Sequence, residues 1–89
     1  MDERTDEQIL REIEVHNGNV VKLLKRAHEI HMSALDMDNL DAYIALMKRA
    51  IAFQQLSVEE MDRAVNLQNI LSRRQLDSLI CHGLKFGVL

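Results

Sequence analysis

The sequence predicts an all-α fold, a compact bundle of four to five short helices, on the basis of three observations. The 89-residue chain contains no proline, the residue that most strongly interrupts helices. Apolar residues recur at spacings of three and four, the period of a helix with one buried face. The capping box, a helix-start signal made of a hydroxyl residue followed three positions later by Glu or Gln, occurs three times: Thr5 with Gln8, Ser57 with Glu60, and Ser72 with Gln75.

The first half of the chain predicts two helices. The box at Thr5 begins the first, expected over residues 6–16. A break is expected at residues 17–19, because Gly18 suits the left-handed position after a helix and Asn19 can cap the next one. The second helix is expected over residues 20–34, with basic residues opposite its apolar side. Residues 36–39 contain several candidate caps and predict a turn.

The second half predicts two or three more helices. The third, over residues 40–55, has a wide apolar arc and so needs cover on more than one side, as a central helix or as a dimer seam. The box at Ser57 predicts a fourth helix over residues 58–71. The box at Ser72 predicts a fifth through residue 82, or a kink in the fourth, with Gly83 as its stop. The whole chain, 1–89, is expected to form one domain.

Composition limits the cellular setting and the class of partner. The net charge of −3 argues against a chain that coats phosphate backbones. The single cysteine, Cys81, cannot form an internal disulfide, which favours a reducing compartment. No apolar stretch approaches the roughly 20 residues that span a bilayer, and the acidic N-terminus is unlike a signal peptide. We therefore predict a soluble cytoplasmic protein with no membrane partner.

The sequence predicts no enzyme. Its acidic residues gather at expected helix starts, where they complement the helix dipole. No glycine-rich phosphate loop and no recognisable nucleophile motif occurs, so neither catalytic residues nor a cofactor site are predicted. His28 and His31 have the spacing that lets two imidazoles reach one metal ion. No pair of carboxylate or thiolate ligands stands beside them, so no metal site is predicted. Whether the two histidines are structural, pH-sensing or metal-binding stays open.

Two fragments are similar to parts of helix-turn-helix families. Asn17-Gly18-Asn19-Val20 resembles the start of the helix pair in Fis-type DNA-binding domains. The pattern Leu71-Ser72-x-Arg74-Gln75-x-x-x-Leu79-x-x-x-Gly83 resembles the opening of a LuxR-type domain. Either resemblance implies DNA contact through a recognition helix. The first fragment is followed by Leu23 and Leu24 where small residues are usual, and no recognition helix follows the second, so neither assigns a family.

By elimination, the sequence predicts a non-enzymatic protein–protein interaction module: a small regulator, adaptor or inhibitor that binds and masks another macromolecule. The alternative is a small dimeric DNA- or RNA-binding regulator that uses basic patches on the second and fifth helices. The wide apolar arc and the C-terminal tail favour a homodimer. Arg73 and Arg74 stand at an expected helix start, where positive charge opposes the dipole, which favours an external role. The predicted partner-binding residues are Lys22, Lys25, Arg26, Met37, Arg73, Arg74 and Phe86.

Overall fold

The computed structural model describes the backbone of residues 3–86 and the side chains of residues 3–81. This part of the chain folds into two long helices, α1 (Asp6–Leu35) and α2 (Leu40–Phe86), which pack against each other as an extended helical hairpin. The predicted all-helical character is confirmed. The predicted compact bundle of four to five short helices is wrong, because three of the expected helix boundaries lie inside continuous helices.

Helix α1 begins where the sequence predicts and then continues through the expected break. The Thr5 hydroxyl accepts a hydrogen bond from the Gln8 amide at 3.1 Å, and the Gln8 side chain accepts one from the Thr5 amide at 2.9 Å, which completes the capping box. Residues 17–19 are helical, and Gly18 is simply an exposed position within the helix. A glycine inside a helix costs about 1 kcal/mol relative to alanine, which packing on both sides of it can outweigh.

Helix α2 follows a short turn, as the sequence predicts. Asn39 caps it: its side-chain oxygen accepts hydrogen bonds from the amides of Asp41, at 2.8 Å, and Ala42, at 3.4 Å. Ser57 starts no helix, since it is buried and its hydroxyl donates to the Gln54 carbonyl at 2.6 Å instead of accepting from an amide. Ser72 and Gly83 are also interior to α2, so they neither begin nor end a helix.

One seam of side chains, spaced alternately three and four residues apart, joins the helices along the length of α1. Such spacing keeps one stripe of each helix facing its neighbour, as in a coiled coil. All of its members are buried or half-buried. In α1 the seam comprises Ile9, Ile13, His16, Val20, Leu23, Ala27, Ile30 and Ala34, and in α2 it comprises Leu46, Ala50, Phe53, Ser57, Glu60, Ala64, Leu67, Leu71 and Arg74.

Two contacts fix the antiparallel register of the hairpin. Asp6 accepts a hydrogen bond from Arg74 at 2.7 Å, and His16 is hydrogen-bonded to Glu60. Because Asp6 is the first residue of α1, residues 75–86 of α2 extend beyond it, over about 18 Å at the usual rise of a helix. We call this segment the overhang.

The molecule is a rod rather than a globule. It measures 71 × 23 × 18 Å, and its radius of gyration is 20.5 Å, against about 12 Å for a compact chain of this length. Its largest buried apolar cluster consists of Ile9, Ile13 and Leu67, with Ile70 and Leu71 packed against it. Four of the five other buried apolar residues are alanines, whose small side chains add little buried apolar surface. Much apolar surface is therefore left exposed.

Candidate functional site

A second apolar stripe follows the outer flank of α2. Its eight positions repeat the alternating spacing of the seam but lie on a neighbouring side of the helix, and none of them is charged. Six are exposed aliphatic or thioether side chains, with exposures between 39% for Met61 and 70% for Leu40. The stripe comprises Leu40, Ile44, Met47, Ile51, Gln54, Val58, Met61 and Val65.

The C-terminal half of α1 carries a matching stripe: Val21, Leu24, His28, His31, Met32 and Leu35, all exposed. Both stripes lie on one side of the hairpin, because residues of both helices line the same shallow depression of about 390 Å³. Its lining includes Leu24, His28, His31 and Leu35 from α1 and Gln54 from α2. We call the two stripes together the docking face.

The opposite side of the hairpin carries charged side chains beside apolar ones. A depression of about 370 Å³ there is lined by Asn19, Lys22 and Leu23 from α1 and by Leu56, Glu59, Glu60 and Arg63 from α2. Nearby, Arg26 lies 3.4 Å from Glu29 in an exposed ion pair of the kind that adds little to stability. We call this side the polar face, and its charges contrast with the uncharged α2 stripe across the rod.

A polar layer interrupts the seam where the polar face meets it. His16 of α1 is hydrogen-bonded to the Glu60 carboxylate, which also accepts a hydrogen bond from Arg63 at 3.0 Å. The bond to His16, helped by a bond from Asn19 and by the charge of Arg63, holds the pKa of Glu60 below its ordinary 4.5, although partial burial acts in the opposite direction. Such a layer stabilises one register of the two helices relative to shifted registers, because a shift would leave these groups without partners.

The predicted partner-binding residues do not form one patch. Lys22, Lys25 and Arg26 are exposed on α1, and Lys22 lines the polar-face depression. Met37 lies in the turn at one end of the rod, 43% exposed. Arg73 and Arg74 lie near the other end; Arg73 is exposed, whereas Arg74 is half-buried and pairs with Asp6. Helix α2 ends at Phe86, whose side chain lies outside the described residues. Their role in binding stays a prediction.

The structure changes the interpretation of Arg73 and Arg74. The sequence argument placed them at the start of their own helix, where positive charge is unfavourable, but they lie deep inside α2, and Arg74 faces Asp6 in the first turn of α1. Arg74 has a structural partner in Asp6 across the hairpin. The argument from the dipole therefore no longer separates these two residues from the other surface cations.

Sequence reasoning missed most of the docking face. It recognised only the sector of Leu40, Ile44, Met47 and Ile51 in the expected third helix. A seven-residue repeat could have revealed the rest: Ile44, Ile51, Val58 and Val65 are all β-branched and follow one another two helical turns apart. This repeat crosses the expected boundary at Ser57 without a change of phase, so it also indicates that α2 is continuous.

A further apolar surface lies on the overhang. The overhang exposes Leu76, Leu79 and Ile80, which lie on one side of α2. Among the described residues, no group of three or more His, Cys, Asp and Glu side chains is arranged to hold a metal ion. Within the same part of the chain, neither helix has a stretch long and apolar enough to cross a membrane.

Comparisons with protein-family models, with curated proteins and with solved structures give no match for this chain.

Proposed function

We propose that this chain is a non-enzymatic protein–protein interaction module, a small regulator, adaptor or inhibitor that binds another macromolecule through its docking face. One observation carries the proposal: a charge-free apolar stripe runs along α2 and continues onto α1, while the other side of the rod carries charged residues beside its apolar ones. Contiguous exposed apolar surface bounded by polar residues is typical of interaction sites.

The pattern of the face indicates what it binds. Apolar side chains at alternating spacings of three and four form ridges and grooves that accept the side chains of another helix. An extended strand would find no unpaired backbone groups on a helical surface, so a helical partner surface fits best. Basic residues outside the face are proposed as contacts that guide the approach of an acidic partner: Lys22, Lys25, Arg26 and Arg73. The proposed location is the cytoplasm, in keeping with one cysteine.

A pair of matched variants tests the proposal. Val58, 51% exposed, lies on the docking face, whereas Val15, 60% exposed, lies two turns before Lys22 and therefore on the polar face. Val58→Glu places a charge in the apolar stripe, and Val15→Glu makes the same chemical change on the other side. We expect a bound protein in cells that encode this chain to be retained by the wild type and by Val15→Glu but lost with Val58→Glu.

The capture is made with a tagged copy expressed beside an untagged copy, so that self-association and binding of a different protein are read separately. Recovery of a different protein equally with both variants would contradict a role for the docking face. Recovery of nothing but the untagged copy would contradict the masking of another macromolecule, while leaving self-association in place.

A further inference from the structure

We propose that the first occupant of the docking face is a second copy of this chain, and that two hairpins form an antiparallel four-helix bundle with their turns at opposite ends. This inference rests on the proposed function, because it names the partner of the same face. Three properties of the hairpin carry it: its surface area, the symmetry of the apolar stripes, and the position of the nearest charges.

The hairpin exposes more surface than a folded chain of its size. Its accessible surface is 7052 Å², against about 5,400 Å² for a globular protein of 10.3 kDa. At their observed exposures, the ten exposed aliphatic and thioether side chains of the docking face leave roughly 1,000 Å² in water, so a symmetric pair would bury roughly 2,000 Å², at the upper end of the range of standard stable interfaces. The face is therefore large enough to hold a dimer.

The midpoints of the two stripes lie close together along the rod. The α1 stripe, from Val21 to Leu35, is centred on His28, and the α2 stripe, from Leu40 to Val65, is centred between Ile51 and Gln54. The pairings of Asp6 with Arg74 and of His16 with Glu60 place His28 level with residues 48–52, so the two midpoints lie within about 7 Å of each other along the rod. A twofold axis through the depression that His28 and Gln54 line, across the rod, matches each stripe to its own copy, as an isologous interface requires.

This axis places apolar residues opposite apolar residues along most of both stripes, whereas at the centre Ile51 of one copy meets Gln54 of the other and His28 meets His28. Along α2, Leu40 of one copy meets Val65 of the other, and Ile44 meets Met61. Along α1, Val21 meets Leu35. Because each helix runs against its own copy in the opposite direction, the dipoles of facing helices also oppose one another, which is favourable.

The alternative arrangement, with both turns at the same end, fits less well. It sets α2 of one copy against α1 of the other at equal heights. The register of His16 with Glu60 then brings Met61 and Val65 opposite Glu14 and Asn17 of the second copy. A carboxylate pressed onto an apolar stripe without a partner is costly. The antiparallel arrangement leaves Glu14 beyond the end of the facing α1 stripe.

Sedimentation equilibrium of the full chain tests the inference, with circular dichroism to follow the fold. We expect the wild type and Val15→Glu to have twice the monomer mass of 10.3 kDa, and Val58→Glu to weaken the dimer by at least about 100-fold, since two carboxylates enter one interface. If Val58→Glu also loses helix, Val58→Ala replaces it, with an expected weakening of about 10-fold and the helix content kept.

The arrangement is read from a spin label at Arg11→Cys in a Cys81→Ser background. Position 11 lies 17 residues from His28, so the antiparallel dimer predicts about 50 Å between the two labels, whereas turns at the same end predict about 30 Å. A wild-type monomer of 10.3 kDa would refute the dimer but leave the docking face open to a different protein. A dimer equally stable in all variants would refute self-association through the docking face, whereas the capture experiment alone decides whether a different protein binds there.

Discussion

Replacing Gly18 by alanine tests whether α1 is one continuous helix or two helices joined at residues 17–19. In the structure Gly18 lies well inside α1, and a Cβ atom built on it meets nothing within 4 Å. The substitution therefore removes the conformational freedom of glycine without steric cost, and the expected gain is about 1 kcal/mol in the free energy of unfolding. For a chain of this length, that gain raises the melting temperature by roughly 4–8 °C.

The measurement is thermal unfolding followed by circular dichroism at one fixed protein concentration, because self-association would shift the melting temperature with concentration. If Gly18 ended a helix in the left-handed conformation, alanine there would instead lower the stability by about 1–2 kcal/mol. The sign of the change therefore decides between the two descriptions. Gly18→Pro is the companion variant, expected to cost about 3 kcal/mol inside a helix. A neutral Gly18→Pro together with a destabilising Gly18→Ala would refute the continuous helix.

Three further predictions address the core, the polar layer and the nucleic-acid alternative. Ile13→Ala is expected to lower the free energy of unfolding in urea by about 3 kcal/mol, because the side chain is buried against Leu67. Val15→Ala on the surface is expected to change it by less than about 0.5 kcal/mol, and equal effects would contradict the burial of Ile13 in the seam. Because the pKa of Glu60 is lower in the folded than in the unfolded chain, its carboxylate contributes stability above pH 4.5 that is lost as the pH falls through the folded pKa. The difference in unfolding free energy between wild type and Glu60→Gln should therefore shrink below pH 4.5, and a constant difference from pH 7 to pH 3 would count against the polar layer. We expect no retention on double-stranded DNA even at about 50 mM salt, and retention that falls steeply with rising salt would favour the DNA- or RNA-binding regulator instead.

Local chemistry explains which boundaries were predictable. The box at Thr5 and the caps near Asn39 act within one helical turn, and both were recognised from the sequence and confirmed. Ser57 and Glu60 have the residue types of a capping box but do not form its hydrogen bonds. The Ser57 hydroxyl donates to the Gln54 carbonyl, and the Glu60 carboxylate is hydrogen-bonded to His16 on the other helix. A capping signal has to compete with the packing of the seam, and at Ser57 the seam prevailed.

The docking face was only partly predictable, for a related reason. The apolar sector from Leu40 to Ile51 was visible as excess hydrophobicity, but it was assigned to a short helix, either at the centre of a bundle or at a dimer seam. Its continuation to Val58 and Val65 depends on one unbroken helix, since a break at residues 56–57 would have placed these residues on unrelated sides. The distribution of the predicted binding residues along the rod follows from the same continuity.

Helical class, the first helix start and the position of the turn follow from the amino-acid sequence, because each depends on propensities and hydrogen bonds between near neighbours. The number of helices, the pairing of Asp6 with Arg74 and of His16 with Glu60, and the side on which the two apolar stripes meet were decided by tertiary structure. The physical reason is that a continuous seam of contacts between distant residues outweighs a glycine and two internal boxes, each a small local effect. The hairpin that results has too few helices to cover its own apolar surface.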